Sequence, residues 1–174
     1  MDAVEKLLSD YRTEKPSTAD GREYAGKIRI IQALGASNDA KALPFLLDVL
    51  ADQHEYDLAR IEVIELLSVN EYPGSEDEEI GHILLEIVKH EPNSVVCEHA
   101  AIALGLYTDT PGVYEEFQRI VLNEDASVNI RSAAFESFYR TGPSEHTIRV
   151  MRSLVNDELL GDAARKMLQE WGTS

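Results

Sequence analysis

The chain has little of several features on which common classes of protein depend. It holds one cysteine, Cys97, so no disulfide can form within it, which is typical of a reducing compartment. Its first residues, MDAVEKLLSDYRTEK, lack the cationic start and apolar run of a secretory signal peptide. No apolar run approaches the roughly 20 residues that cross a bilayer. We therefore expect a cytoplasmic protein.

Positive charge is also scarce. The chain has 32 acidic residues against 16 lysines and arginines, which gives a net charge of −16 and a pI near 4.6. Nucleic acids and anionic membranes are bound through lysine and arginine, so neither is expected as a partner. A basic protein would instead be attracted and would associate quickly. The acidity could equally serve solubility alone, so the charge excludes partners more firmly than it identifies one.

Sustained alternation of apolar and polar residues, which is typical of half-buried strands, is absent as well. Apolar residues recur instead at i, i+3, i+4 and i+7, as one face of a helix requires. Turn-forming stretches such as YTDTPG and YRTGPSE separate these segments, so an all-α fold is predicted. The predicted apolar stripes are Leu43, Leu46, Leu47 and Leu50; Ile80, Ile83, Leu84 and Ile87; Val113, Phe117, Ile120 and Val121; and Ile148, Met151, Leu154 and Val155.

A helical pattern repeats along the chain. Each copy has a cation or its substitute, then small or apolar residues in mid-helix, then an apolar pair near the end. The cation position, here called the cation column, holds Lys27, Arg60, Cys97, Arg131 and Arg165, at spacings of 33, 37, 34 and 34 residues. Each period has room for two helices. Because two helices cannot bury both of their apolar faces alone, neighbouring pairs are expected to stack.

The stretch NDAKALPFLLDVLADQHEYDLARIEVIELL resembles a HEAT-like repeat of the short bacterial type found in phycobilin-lyase-related proteins. That type combines an acidic turn, an Ala-x-Pro-x-Leu helix and a Val-Arg-x-x-Ala-x-x-Ala-Leu-Gly helix. The likeness covers roughly residues 22–172. It implies one domain, an α-solenoid of stacked antiparallel helix pairs, with about four repeats plus terminal capping helices. Residues 1–20 would form an N-terminal cap helix and linker, residues 22–157 the four repeats, and residues 158–174 a C-terminal half-repeat.

The only cysteine is followed closely by a histidine, which could suggest a nucleophile and its base. Cys97 and His99 are two residues apart, which places them about 200° apart around a helix axis. They cannot form a catalytic dyad within one helix. Because Cys97 occupies the cation column, we expect a small buried thiol that packs between helices.

Two further stretches resemble ligand-binding motifs. The sequence GREYAGKI fits the Gly-x4-Gly-Lys spacing of a phosphate-binding loop, but Ile28 stands where the Ser or Thr should be and no apolar strand precedes it. His82, Glu86 and His90 are four residues apart on one helix, a spacing that can present metal ligands. This stripe lies opposite the apolar one and no fourth ligand is identifiable. A solvated face is therefore favoured, and neither metal nor cofactor is expected.

The stretch NEYPGSEDEE is the most acidic part of the chain and interrupts the repeat period. Acidic residues in the first turn of a helix are favourable to the helix dipole, which accounts for Asp77, Glu78 and Glu79 without any function. The alternative is that residues 70–79 contact a basic partner. The sequence leaves these two interpretations open.

These observations favour a non-enzymatic protein-protein interaction module, because no catalytic constellation is found and the resemblance is to a scaffold family. The resemblance implies that the concave surface, formed by the second helix of each pair, is the binding surface. The predicted partner-binding residues are Asp48, Glu78, Glu79, His82, Glu86, Glu115, Glu116 and Arg119.

The most specific hypothesis is an immunity or inhibitor protein that neutralises a basic toxin domain, such as a nuclease. Its basis is the combination of small size, acidity and scaffold. The alternatives are a chromophore-lyase-like protein, for which no residue signals a pigment, and a subunit of a larger assembly. A DNA glycosylase built on HEAT-like repeats is disfavoured, because it would require a basic groove.

Overall fold

The computed structural model describes residues 2–14, 25–37, 39–69 and 77–173, and all regular secondary structure in these ranges is α-helical. The all-α prediction is therefore confirmed for this part of the chain. Residues 15–24 and 70–76, which include the predicted linker and most of the acidic stretch, lie outside the described residues. The helices are α1 (Ala3–Thr13), α2 (Ala25–Ser37), α3 (Ala42–Ala51), α4 (Asp57–Val69), α5 (Asp77–His90), α6 (Ser94–Leu104), α7 (Val113–Leu122), α8 (Val128–Thr141), α9 (Glu145–Leu154) and α10 (Gly161–Glu170).

The helices contact one another in a regular order. One series runs through α2, α4, α6 and α8, each of which packs on the next, and a second runs through α3, α5 and α7. We call α2, α4, α6, α8 and α10 the first helices and α3, α5, α7 and α9 the second helices. Across the two series, α3 packs on α4, α5 on α6, α7 on α8 and α9 on α10. The connections within these pairs are short, as is common between helices that pack on each other. Helix α1 packs on α2.

Local sequence signals explain where several helices begin. The side chain of Asn93 accepts hydrogen bonds from the backbone at the start of α6, and Ser127 does the same for α8. Ser144 forms a capping box with Thr147 at the start of α9. Such caps satisfy backbone N–H groups that have no partner within the helix. Gly112 precedes α7 with φ of 90°, a left-handed conformation that glycine adopts without strain.

The predicted apolar stripes form the interior between the two series of helices. The stripes of α3 and α7 are fully buried, and the other two are buried except for Ile83, Ile148 and Val155, which are half-buried. In α1, Val4 and Tyr11 are buried. The helical period in the sequence therefore identified the core-facing side of these helices correctly.

The cation column produces a recurring buried contact. Arg60 is 1% exposed, and its Nε donates to the carbonyl of Leu50, the next-to-last residue of the preceding helix α3, over 3.1 Å. Its Nη2 lies 2.6 Å from Oε2 of Glu91, in the linker that precedes α6. One buried guanidinium thus joins the end of α3 to the connection between α5 and α6.

Arg131 repeats this arrangement on α8. Its Nε and Nη2 donate to the carbonyl of Val121 over 3.2 and 2.8 Å, and Nη2 lies 2.5 Å from Asp157. Lys27 makes the acidic contact as well, with its Nζ 2.8 Å from both oxygens of Glu55. The repeat period in the sequence therefore corresponds to a repeated structural contact.

Candidate partner-binding surface

The predicted binding residues all lie on α3, α5 and α7. Since α3 packs on α5 and α5 packs on α7, their outer faces form one surface, which we call the second-helix surface. Asp48 of α3, Glu115 of α7 and the α5 residues Glu78, Glu79, His82 and Glu86 are exposed on it. Carboxylates of three second helices, α3, α5 and α7, are thus presented on one side of the molecule.

The charged side chains of α5 interact weakly with one another. His82 Nε2 lies 3.5 Å from Glu78, and His90 Nε2 lies 3.5 Å from Oε2 of Glu86. Lys89 Nζ lies 3.3 Å from Oε1 of Glu86. Exposed ion pairs of this kind contribute about 0–1 kcal/mol, so a partner can displace them at little cost.

Glu116 does not lie where the sequence prediction placed it. It was expected to face outward, but its side chain is only 7% exposed and is held by Arg119, whose Nε and Nη2 lie 3.0 and 2.5 Å from its carboxylate. The reason is helical geometry, since Glu116 falls three residues after Val113 and four before Ile120, on the margin of the core stripe. Its hydrogen bonds raise the pKa of Arg119. Helix α7 therefore exposes less free negative charge than expected.

The beginning of the second-helix surface is partly covered by α1. The ring of Tyr11 packs edge-on against Phe45 of α3, with the ring centroids 5.0 Å apart. Lys41 Nζ lies 2.7 Å from the carboxylate of Asp2, which caps α1. Asp48, the single acidic residue within α3, is exposed beyond this contact.

A groove lies between α3 and α5 on the second-helix surface, and no pattern in the sequence predicted it. Its volume is about 320 Å³. Its walls come from the end of α3, from one face of α5 and from the cation column, so residues far apart in sequence meet there. Its lining residues are Ala51, Gln53, Arg60, His82, Ile83, Glu86, Ile87 and His90.

His82, Glu86 and His90 therefore line one edge of this groove. Within the described ranges, no group of three or more His, Cys, Asp or Glu side chains could hold a metal ion. All three side chains of this stripe are exposed along α5.

The environment of Cys97 matches a packing role. The residue is 7% exposed, and its thiol donates to the carbonyl of Val88 over 3.6 Å. Burial, together with nearby carboxylates, raises the pKa of the Cys97 thiol, so the nucleophilic thiolate is disfavoured. His99 turns instead toward Glu65 of α4, with Nδ1 3.6 Å from the carboxylate. The prediction of a buried packing thiol is confirmed.

A second acidic hollow of about 320 Å³ lies between the start of α5 and the connection from α6 to α7. Asp77, Glu78 and Asp109 contribute to its lining, together with Tyr107 and the buried Thr110. It extends the negative surface from Glu78 toward the first helices.

Among the described residues, no helix is long and apolar enough to cross a membrane. No family model, curated protein or solved structure matches the chain.

Proposed function

We propose that this protein is a non-enzymatic interaction module that binds a basic protein partner through the second-helix surface. In its most specific form, the proposal is an immunity or inhibitor protein that neutralises a basic toxin domain in the cytoplasm. A partner of this kind is steered by a domain of net charge −16, and steering raises the rate of association.

The observation that carries the proposal is the row of exposed carboxylates on consecutive packed helices. Asp48, Glu78, Glu79, Glu86 and Glu115 are all exposed. They are spread over α3, α5 and α7, which pack in series, so their potentials add over one surface. An isolated acidic turn would not present charge over so wide an area.

We also propose that the fold is an α-solenoid of HEAT-like repeats. Two observations support this. The first and second helices each form their own packed series, as stacked helix pairs do. In addition, Arg60 on α4 and Arg131 on α8 make the same two kinds of contact. A solenoid would present the second helices as one continuous face, which suits a protein partner.

A binding role is favoured over an enzymatic one by the state of the single cysteine. Cys97 is buried and its pKa is raised, so it is a poor nucleophile. The other reactive residue types on the second-helix surface, Glu86 and the two histidines beside it, are exposed to water. Acid-base catalysis by carboxylates generally depends on a site that shifts a pKa.

The test is the dependence of association rate on salt. A partner is first isolated from the source lysate by affinity capture, and its association is then followed by stopped-flow or surface plasmon resonance. Reversing Glu78, Glu79 and Glu86 to lysine should slow association by about tenfold or more at low salt and should flatten the salt dependence. Helical circular dichroism should be kept, because these side chains point away from the core.

The matched control reverses Glu124, Glu136 and Glu158, which are also exposed but lie outside the second helices, on α8 and in the connections after α7 and α9. It makes the same change in net charge. If both triple variants slow association equally, the net charge and not the second-helix surface attracts the partner. If neither variant changes the rate or its salt slope, the proposed surface is wrong.

A further inference from the structure

The groove between α3 and α5 combines an apolar interior with a charged rim. Ile83 and Ile87 lie one turn apart on the same face of α5, and Ala51 lines the groove from the end of α3. Glu86 also lines the groove, and its side chain is 63% exposed, which places its carboxylate at the rim. An occupant that suits both parts needs an apolar stem and a cationic head.

Arginine and lysine are the side chains that have both parts. We propose that the groove binds an arginine side chain of the partner, with its stem against Ile83 and Ile87 and its guanidinium on the Glu86 carboxylate. This inference rests on the proposed function, because it names the anchoring residue of the basic partner that the second-helix surface attracts.

The rim favours arginine over lysine. A guanidinium is planar and donates two parallel hydrogen bonds to one carboxylate, whereas an ammonium acts as a point charge. It also stacks on aromatic faces, and the imidazoles of His82 and His90 lie one turn on either side of Glu86 and line the same groove. Lysine would gain the charge interaction without the paired hydrogen bonds and the stacking.

Arg60 also lines the groove, and its charge is offset by the Glu91 carboxylate, whose Oε2 lies 2.6 Å from Arg60 Nη2. At the rim, Glu86 is engaged by Lys89 and His90 at 3.3 and 3.5 Å, on the solvent-exposed side of the helix. Pairs this exposed are weak, so an incoming guanidinium can replace them.

The size of the groove indicates a side chain as its occupant. A volume of about 320 Å³ is at the small end of the range for ligand pockets, roughly 300–1,000 Å³. It accommodates one long side chain, and a partner helix would have to rest on the rim. Buried arginine anchors of this kind commonly dominate the energy of a protein interface.

The experiment uses the full chain and four short peptides. Each is an acetylated and amidated pentapeptide with lysine at both ends and glycine beside each lysine. The central residue is arginine, lysine, citrulline or alanine. Citrulline has nearly the shape of arginine without its charge. Binding is followed by NMR through the backbone amide signals of Ala51, Gln53, Ile83 and Ile87.

The arginine peptide should shift these signals and bind about tenfold more tightly than the citrulline peptide, with the lysine peptide between them. Glu86→Gln should weaken binding of the arginine peptide by about tenfold, while the matched control Glu136→Gln, at an exposed acid on α8 outside the second-helix surface, should change it less than about twofold. Ala51→Phe fills the groove without changing charge, and it should weaken the arginine peptide and leave the alanine peptide unaffected.

Failure of this inference can be distinguished from failure of the proposed function. If the arginine and lysine peptides bind equally and Ala51→Phe has no effect, the groove is not an arginine site, although the acidic surface still binds cations. If no cationic peptide shifts signals on α3, α5 or α7, both proposals are overturned. Shifts confined to the acidic hollow at Asp109 would also overturn the assignment to the groove.

Discussion

Arg60 and Cys97 occupy equivalent positions on α4 and α6, but the structure surrounds them differently. Each contacts a backbone carbonyl near the end of the preceding second helix, Leu50 for Arg60 and Val88 for Cys97. Arg60 then also reaches Glu91 in the next linker, whereas the Cys97 thiol is too short to reach the linker before α8. We call each such contact between neighbouring helix pairs a junction. The junction at Arg60 contains a buried ion pair, whereas the junction at Cys97 depends mainly on packing.

At the Cys97 junction, a different residue contacts the next linker. Glu98 accepts hydrogen bonds from Ser127 and Asn129, with oxygen-oxygen and nitrogen-oxygen distances of 3.3 and 2.9 Å. These contacts are exposed, so water competes for them. The comparison shows that a repeat can keep the position of a contact while replacing buried electrostatics with packing and surface hydrogen bonds.

The largest expected effect on stability comes from breaking the ion pair of the first junction. Glu91→Gln removes the charge that balances Arg60 while keeping nearly the same shape, and it leaves a buried guanidinium without a counter-charge. Loss of one partner of a buried pair costs about 3–5 kcal/mol of unfolding free energy. Urea unfolding followed by circular dichroism measures the change.

The corresponding substitution at the second junction is Glu98→Gln, which should cost less than about 1 kcal/mol, because its contacts are exposed. Equal losses for the two variants would contradict the distinction between the two junctions.

A smaller effect on stability is expected at the third junction, where Arg131 pairs with Asp157, and this effect should depend on pH. Burial alone would raise the pKa of Asp157, but hydrogen bonds from Arg131 and from the backbone of Leu160 and Leu159 outweigh it, and the pKa falls below the ordinary 3.8. A carboxyl with a lowered pKa stabilises the fold fully above its unfolded value and loses that contribution as the pH falls through its folded value.

Asp157→Asn should therefore be less stable than the unmodified chain at neutral pH, by about 1–3 kcal/mol. The difference should shrink as the pH falls below about 4, where Asp157 itself becomes protonated. Denaturation curves at several pH values measure this difference. A gap between the two proteins that is constant from neutral pH to pH 2 would mean that the ion pair does not stabilise the fold.

The smallest effect is expected at the packed junction. Cys97→Ala removes one small buried group and should cost about 1 kcal/mol, well below the cost at Glu91. Because the thiol is buried with a raised pKa, a thiol-specific reagent should label the native protein slowly and the urea-unfolded protein rapidly. Fast labelling of the native protein would show that this junction opens. Partner binding should be unchanged in the alanine variant.

The helices and their buried faces could be predicted from the sequence because the helical period is a local property. The stripe Leu43, Leu46, Leu47 and Leu50 is buried as expected, and the cation column marks real contacts at Arg60 and Arg131. Glu116 was expected to face outward but is buried, because a residue at the margin of a stripe can turn either way. Its nearest cation, Arg119, holds it in the buried position.

The proposed binding surface could likewise be predicted from the sequence only in part. The sequence alone predicted that acidic side chains would be exposed on α5. Carboxylates are costly to bury, and those of α5 lie opposite its apolar stripe. The groove could not be predicted from the sequence, since Ala51, Arg60 and Ile83 meet only when α3, α4 and α5 pack together.

Sequence by itself determined the helical class, the core-facing residues, the repeat period and the net charge of this protein, because each depends on residue type and local spacing. Tertiary structure alone decided which acid pairs with each buried cation, which end of the second-helix surface α1 covers, and where an apolar groove opens beside exposed carboxylates. Those features depend on distances between residues remote in the chain, and such distances exist only after the helices have packed.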